Sequence, residues 1–417
     1  MKKKLLYISP IMSRSGYGDH AREFAQFLLE YKGDYDMHLI ATPWGLNPQT
    51  GLKEGEELHD QLSSMFVDHA SVHDFYDIYV QLGLPPEFKR LGTYNVGITA
   101  GVETSKVNEP FVKGCNQMDT IIVPSEFTKS TFKESVHTTK SETIKLNTDI
   151  QVVHEYATAA FYNSTPPKSK SVMAKQLDSI QEDFCYLFVG QWTSSPTDNG
   201  GRKNITSLIN TFINAFASYE TKPALVLKTN GTNFSTSDYY DTQERINEVL
   251  TEYPEATRAS VYLLHGDISS FELPQLYKHE KIKAFVSHTR GEGFGRPLLE
   301  ASLCGCPVIA PNWSGHLDFL TEEHSTLLNY IPKAVGVSNE LFCEDSTWAD
   351  VIESESTKAL RHIYENYDEY KLKATELKAI NIAKFSKQSA FERYKQILIP
   401  KFEETPTEVS IDLPDIN

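Results

Sequence analysis

Long apolar runs are missing from this chain: nowhere do about eighteen apolar residues follow one another, so no membrane-spanning helix is expected. The basic start, Met1-Lys2-Lys3-Lys4, leads into only a very short apolar run, Leu5 to Ile8, before Ser9 and Pro10. It reads as a first buried strand and not as a secretion signal, and a cytoplasmic location is expected. Cysteine is also scarce. The five residues, at 115, 185, 304, 306 and 343, form no regular framework, and the Cys304-x-Cys306 pair has no second pair to complete a thiolate metal site. Reduced thiols follow, with no resident metal or cofactor.

Positive charge is short as well. Forty Lys and Arg stand against 56 Asp and Glu, a formal net charge of -16, which weighs against broad adhesion to nucleic acid or anionic membranes. A local basic cleft remains compatible with that sum. The thirteen histidines contain no HExxH pattern.

What is present is a folded composition, 40% hydrophobic and 23% charged, on 417 residues, which is too long for one ordinary core. Strand and helix patterns alternate. Leu5–Ile8 is followed by a small-residue loop, Ser13-Arg14-Ser15-Gly16-Tyr17-Gly18, and then by helical spacing over His20–Tyr31. Further strands are expected at Met37–Ala41, Ile78–Val80, Tyr94–Thr99, Thr120–Val123 and Gln151–Val153. After a polar, proline-containing linker over 163–170 the alternation resumes with Tyr186–Val189, Ala224–Lys228, Val261–Leu264, Ala284–Ser287 and Pro307–Ile309. The expected organisation is an α/β domain over 1–165, a second over 166–384, a helix over 385–401 that crosses back to the first, and a flexible acidic tail over 402–417. A ligand is expected in the cleft beyond the carboxyl ends of the strands. Asp34-Tyr35-Asp36 has the spacing of a divalent-ion pair but lies away from that cleft, so no metal site is assigned to it.

The most informative segment is Ser287-His288-Thr289-Arg290-Gly291-Glu292-Gly293-Phe294-Gly295-Arg296-Pro297-Leu298-Leu299-Glu300-Ala301. Its glycines clear side chains where backbone turns tightly or approaches a ligand, and Glu300 is read as opening a helix. A helix start offers N–H groups to phosphate, and a carboxylate accepts from vicinal sugar hydroxyls. The segment resembles the glutamate, seven residues, glutamate signature of retaining GT-B glycosyltransferases of the family-four type, the glycosyl transferases group 1. The continuation Gly305-Cys306-Pro307-Val308-Ile309-Ala310 and Ser314-Gly315-His316 is similar to the same family.

The resemblance implies two Rossmann-like domains facing each other across a cleft. It further implies transfer of a sugar, with retention, from a nucleoside-diphosphate sugar to a glycan or lipid-linked acceptor. Glu292 would contact the donor sugar, Glu300 the ribose, and the backbone at Gly293, Phe294 and Gly295 the sugar and phosphate. Lys203 matches the family's phosphate lysine, whereas the Arg usual after the strand glycine is replaced by Gln191, leaving Arg202 or Lys228 to compensate. Gly16 and Gly18 resemble the glycine loop that faces the phosphates, and Glu103 looks like an acceptor-side catalytic residue. Ser125 and Lys129 are read as structural. A modified DNA base is the second acceptor class, and a non-catalytic sugar- or nucleotide-binding module the competing kind of answer. Oligomeric state is not legible.

Overall fold

A computed structural model describes residues 2–68, 75–163, 169–193, 201–336 and 339–407. Most of the linker, most of the enlarged loop after Trp192 and the end of the acidic tail lie outside the described residues.

The first domain contains β1 (Lys3–Ser9), β2 (Tyr35–Ala41), β3 (Tyr76–Leu82), β4 (Gly92–Ile98) and β5 (Thr120–Val123), then a small hairpin, β6 (His137–Thr138) with β7 (Thr143–Ile144), and β8 (Asp149–Val152). Six of these form a parallel sheet in the order β2-β1-β3-β4-β5-β8. The second domain contains β9 (Cys185–Val189), β10 (Ala224–Lys228), β11 (Val261–Leu264), β12 (Ile282–Val286), β13 (Val308–Pro311) and β14 (Thr326–Leu328), ordered β11-β10-β9-β12-β13-β14 and again parallel. This is a GT-B fold. Helices cover both faces of both sheets, which is why β3 and β10 are buried along their whole length, Asp77 and Gln81 of β3 included, and why β10 reads as an apolar run up to Lys228.

Strand order reverses direction beside β1 in the first sheet and between β9 and β12 in the second. Such switch points open a crevice at the carboxyl ends of the strands. The segments that meet there include 10–15, 190–193, 201–204 and 287–295, so topology alone gathers the glycine loop, Lys203 and the glutamate signature.

Two findings depart from the sequence reading. The antiparallel hairpin β15 (Tyr330–Ala334) with β16 (Thr347–Val351) was not anticipated, because β15 is mostly exposed and gives no alternating signal. The crossing helix expected over 385–401 is also the last of three, Glu353–Glu365, Tyr367–Lys384 and Lys387–Glu404. The break at Phe385 drives that ring into the second domain's core, and Ser386 caps the next helix by accepting from Ser389 N at 3.2 Å. The last helix then lays Phe391, Tyr394, Leu398 and Phe402 into the core of the first domain, so 402–404 is helix and not tail.

The domains are in contact. Ser105 N donates to Thr347 O at 2.8 Å, and Ser125 Oγ and Thr128 Oγ1 both donate to Gly293 O, at 2.5 and 3.2 Å. Ser125 thus caps its helix, accepting from Thr128 N at 3.1 Å, and also ties it to the opposite domain.

Candidate functional site

Two adjoining groups make up the site. The first is an ion-pair cluster around Glu292, buried at 7% exposure. Lys203 Nζ lies 2.5 Å from Oε1, Thr289 Oγ1 donates to the same oxygen at 2.7 Å, and Arg202 Nη1 reaches Oε2 at 3.1 Å. The backbone N–H of Glu292 donates to Ser314 Oγ at 3.0 Å. Burial alone would raise the carboxyl, but Lys203 and Arg202 outweigh it and hold it down at about 2. Burial depresses Lys203 in turn, against the pull of Glu292. Arg202 also donates to Gly291 O at 2.6 Å and stands 3.4 Å from Glu103 Oε1. It therefore links Glu292 to Glu103.

Strained backbone frames this cluster. Asn204 (φ 51) and Ser314 (φ 87) are the non-glycine residues with positive φ among the described residues, and each abuts a member of it. Arg290 braces the Lys203 loop from below. It donates to Gly201 O at 3.0 Å, pairs with Asp350 at 3.0 Å and packs over Trp348. The unanticipated β15–β16 hairpin therefore supports the candidate catalytic loop.

The second group lines a cavity of about 270 Å³ between the domains. Arg14, Ser15, Gly16 and Asp19 come from the first domain; Gly190, Gln191, Lys228, Asp267, Arg296 and Glu300 come from the second. The groups are contiguous, since a Cβ built on Gly190 would stand 3.7 Å from Lys203 Cε. Lys228 Nζ donates to Gly266 O at 2.9 Å, and burial brings its ammonium down to about 8. Tyr277 OH donates to Glu300 Oε2 at 2.9 Å, and burial pushes Glu300 up to about 7.

The glycines divide by cause. Gly295 adopts φ +98 and caps the helix Arg296–Leu303, so the helix opens four residues before Glu300 and not at it. Side chains at Gly291 and Gly293 would stand 2.3 Å from Glu103 O and 2.8 Å from Ala100 O. Those two are required by the approach of the other domain and not by a ligand. Gly18 meets Ser13 O at 2.0 Å, so it serves the loop's own packing, while Gly16 has open space beside the cavity. Phe294 packs into the core against Phe319.

The sequence reading passed over three features. Arg296 reaches across the cleft into a carboxylate nest, with Glu23 at 2.5 Å, Glu155 at 3.0 Å and Asp19 at 3.9 Å. Arg14 crosses the opposite way to Asp267 and to Ile268 O. Tyr17 stacks on Trp44 at 4.0 Å and 23°, while its hydroxyl accepts from Ala100 N at 3.1 Å. Among the described residues, no cluster of three or more His, Cys, Asp or Glu side chains could hold a metal ion, and no helix is long and apolar enough to cross a membrane.

Comparison with known proteins agrees with this fold. Residues 212–334, which include Lys228, Glu292 and Glu300, match the family described as glycosyl transferases group 1. Among solved structures, HepE of Anabaena in complex with UDP and glucose is similar at 13% identity and a TM-score of 0.61, over 95% of this chain and all of that one. Sucrose-phosphate synthase of Thermosynechococcus elongatus is 14% identical with a TM-score of 0.62, over 96% of this chain and all of that one. A glycosyltransferase of Rickettsia africae is 13% identical with a TM-score of 0.63, over 97% and all. At these identities the likeness shows the fold. A search of curated protein sequences gave no match.

Proposed function

We propose that this chain, a glycosyltransferase of the GT-B fold, moves a sugar with retention from a nucleoside-diphosphate sugar to a glycan. The observation that carries the reading is the Lys203–Glu292–Arg202–Glu103 cluster beside a cavity lined by cations and Glu300. The bond from the anomeric carbon to the diphosphate oxygen breaks with its electron pair leaving on the diphosphate. An acceptor hydroxyl adds to the same face and yields its proton to the departing phosphate. Lys203 and Lys228 stabilise the charge that develops there. Glu292 accepts from Lys203 and Thr289 on one oxygen and from Arg202 on the other. A carboxylate so engaged is a poor nucleophile, which supports an electrostatic and positioning role and no covalent sugar–enzyme intermediate.

The acceptor class rests on Trp44. Its indole lies on Tyr17, which is tethered to the end of β4 three residues before Glu103. A flat aromatic face one ring away from the segment that leads to Glu103 suits the apolar face of a sugar ring better than a lipid chain. The test is release of nucleoside diphosphate from a panel of UDP-, GDP- and ADP-sugars with pooled glycan, lipid-linked and hydroxymethylated-DNA acceptors. UDP-sugars come first because HepE binds UDP. Turnover with glycans is expected, and Trp44→Ala should raise the acceptor KM about tenfold, the loss of one aromatic contact, while slow donor hydrolysis is unchanged. Folded protein that turns over no donor would sink the reading.

A pH dependence follows from Glu300. As a carboxylate it accepts from ribose hydroxyls; below about 7 it is protonated and donates instead. Lys228 loses its charge above about 8. The donor kcat/KM should therefore peak between those values and fall on both sides. Glu300→Gln should abolish the acid limb and leave the alkaline one.

A further inference from the structure

Gln191 puts a neutral side chain directly after the glycine that follows β9, at the wall of the cavity. Which cation faces a diphosphate there is decided by which one can be released. Arg202 is committed to Gly291 O, Glu292 and Glu103. Arg296 lines the cavity, but Glu23, Glu155 and Asp19 surround its guanidinium. Arg14 is different. It lines the same cavity from the first domain, its backbone N–H is fixed by Pro48 O at 2.8 Å, and its guanidinium meets one half-exposed carboxylate, Asp267, and one carbonyl, Ile268 O. Asp267 also bears on Lys228, whose charge it favours, while Arg14 opposes that charge, so the three groups form one electrostatic unit.

We propose that Arg14 is the cation that grips the donor's diphosphate in place of an Arg at position 191, and that Asp267 is its placeholder when the cavity is empty. The inference rests on the donor reading above and deepens it. A planar guanidinium binds phosphate oxygens in pairs, and a diphosphate carries more charge than one carboxylate, so the donor outcompetes Asp267. Arg14 and Asp267 lie on opposite domains. The exchange therefore replaces a direct link between the domains by one that runs through the donor, and the cleft stays closed on it.

The test is calorimetric binding of UDP, GDP, ADP and UMP to the full chain. Arg14→Ala should weaken the preferred nucleoside diphosphate at least tenfold, with Arg14→Lys intermediate, and should narrow the preference for UDP over UMP. Measured at about pH 6.5, where Lys228 keeps its charge without help from Asp267, Asp267→Asn should tighten diphosphate binding severalfold, because it removes the competitor. That opposite sign separates the two possible roles, since a simple strut between domains predicts that both variants weaken binding alike. Unchanged affinity in Arg14→Ala, or weaker affinity in Asp267→Asn, overturns the proposal while leaving the donor reading intact. A parent protein that binds no nucleoside diphosphate overturns both.

Discussion

Replacing Glu292 by Gln should reduce turnover by about 10²–10³-fold, the scale of losing one preorganised electrostatic element. The route is indirect as well as direct. Burial already depresses Lys203, and Glu292 is the group that opposes it. With an amide in its place the main pull against burial is gone and the Lys203 ammonium is disfavoured further, so the leaving diphosphate loses support from that cation in addition to the glutamate. Stability moves too. Glu292 is held at about 2 against an ordinary 4.5, so the stability it contributes is complete above that ordinary value and is lost as pH falls towards 2. The shift corresponds to about 3 kcal/mol. Nucleoside-diphosphate release at saturating donor, with thermal midpoints from pH 7 to 3, checks both parts. The parent midpoint should drop steeply over that window and the Gln variant should lack that component. Turnover equal to the parent's would sink the electrostatic role.

The limits of the sequence can be traced residue by residue. Thr120–Val123, Ala224–Lys228 and Val261–Leu264 are read with the observed ends, because a short apolar run bounded by polar residues marks a strand covered by helices. β15 has no such mark, since four of its five residues are exposed. The glutamate signature was legible as a motif, yet the reason for Gly291 and Gly293 was not, because it lies in the backbone at Glu103 and Ala100, some 190 residues away in the chain. Arg296 did leave a signal. A cation in the first turn of a helix opposes the macrodipole, so it needs carboxylates from elsewhere, and Glu23 and Glu155 supply them. Gln191 posed the question of the missing arginine, and both candidates considered for it, Arg202 and Lys228, came from its own domain. Arg14 belongs to the other, and strand-by-strand reading assigns no contacts across a cleft.

Arg296 should be the residue whose loss most damages the assembled fold. Arg296→Ala leaves Glu23, Glu155 and Asp19 facing one another, with Arg22 still paired to Asp19 and His20 at 3.7 Å from Glu155. Removing one partner from a buried ionic group costs about 3–5 kcal/mol. The carboxyls will lessen that cost by taking up protons, which fixes the sign of the pH dependence. Burial already pushes Glu23 up to about 8 despite the pull of Arg296, and without the guanidinium it rises further. A carboxyl whose folded value is raised holds a proton that the unfolded chain has released, so stability is lost as pH rises through the window between the two values. The variant should therefore lie close to the parent near pH 5 and fall well below it near pH 8. The nest joins the helix that starts at Arg296 to the first domain, so the loss should appear as separation of the two domains before either unfolds. Thermal unfolding at both pH values, with limited proteolysis to detect separated domains, reads this directly. A pH-independent loss would mean that Arg296 acts by packing alone. Arg296→Met, which keeps much of the apolar stem, should reproduce the pH dependence in full if the charge is what holds the nest together.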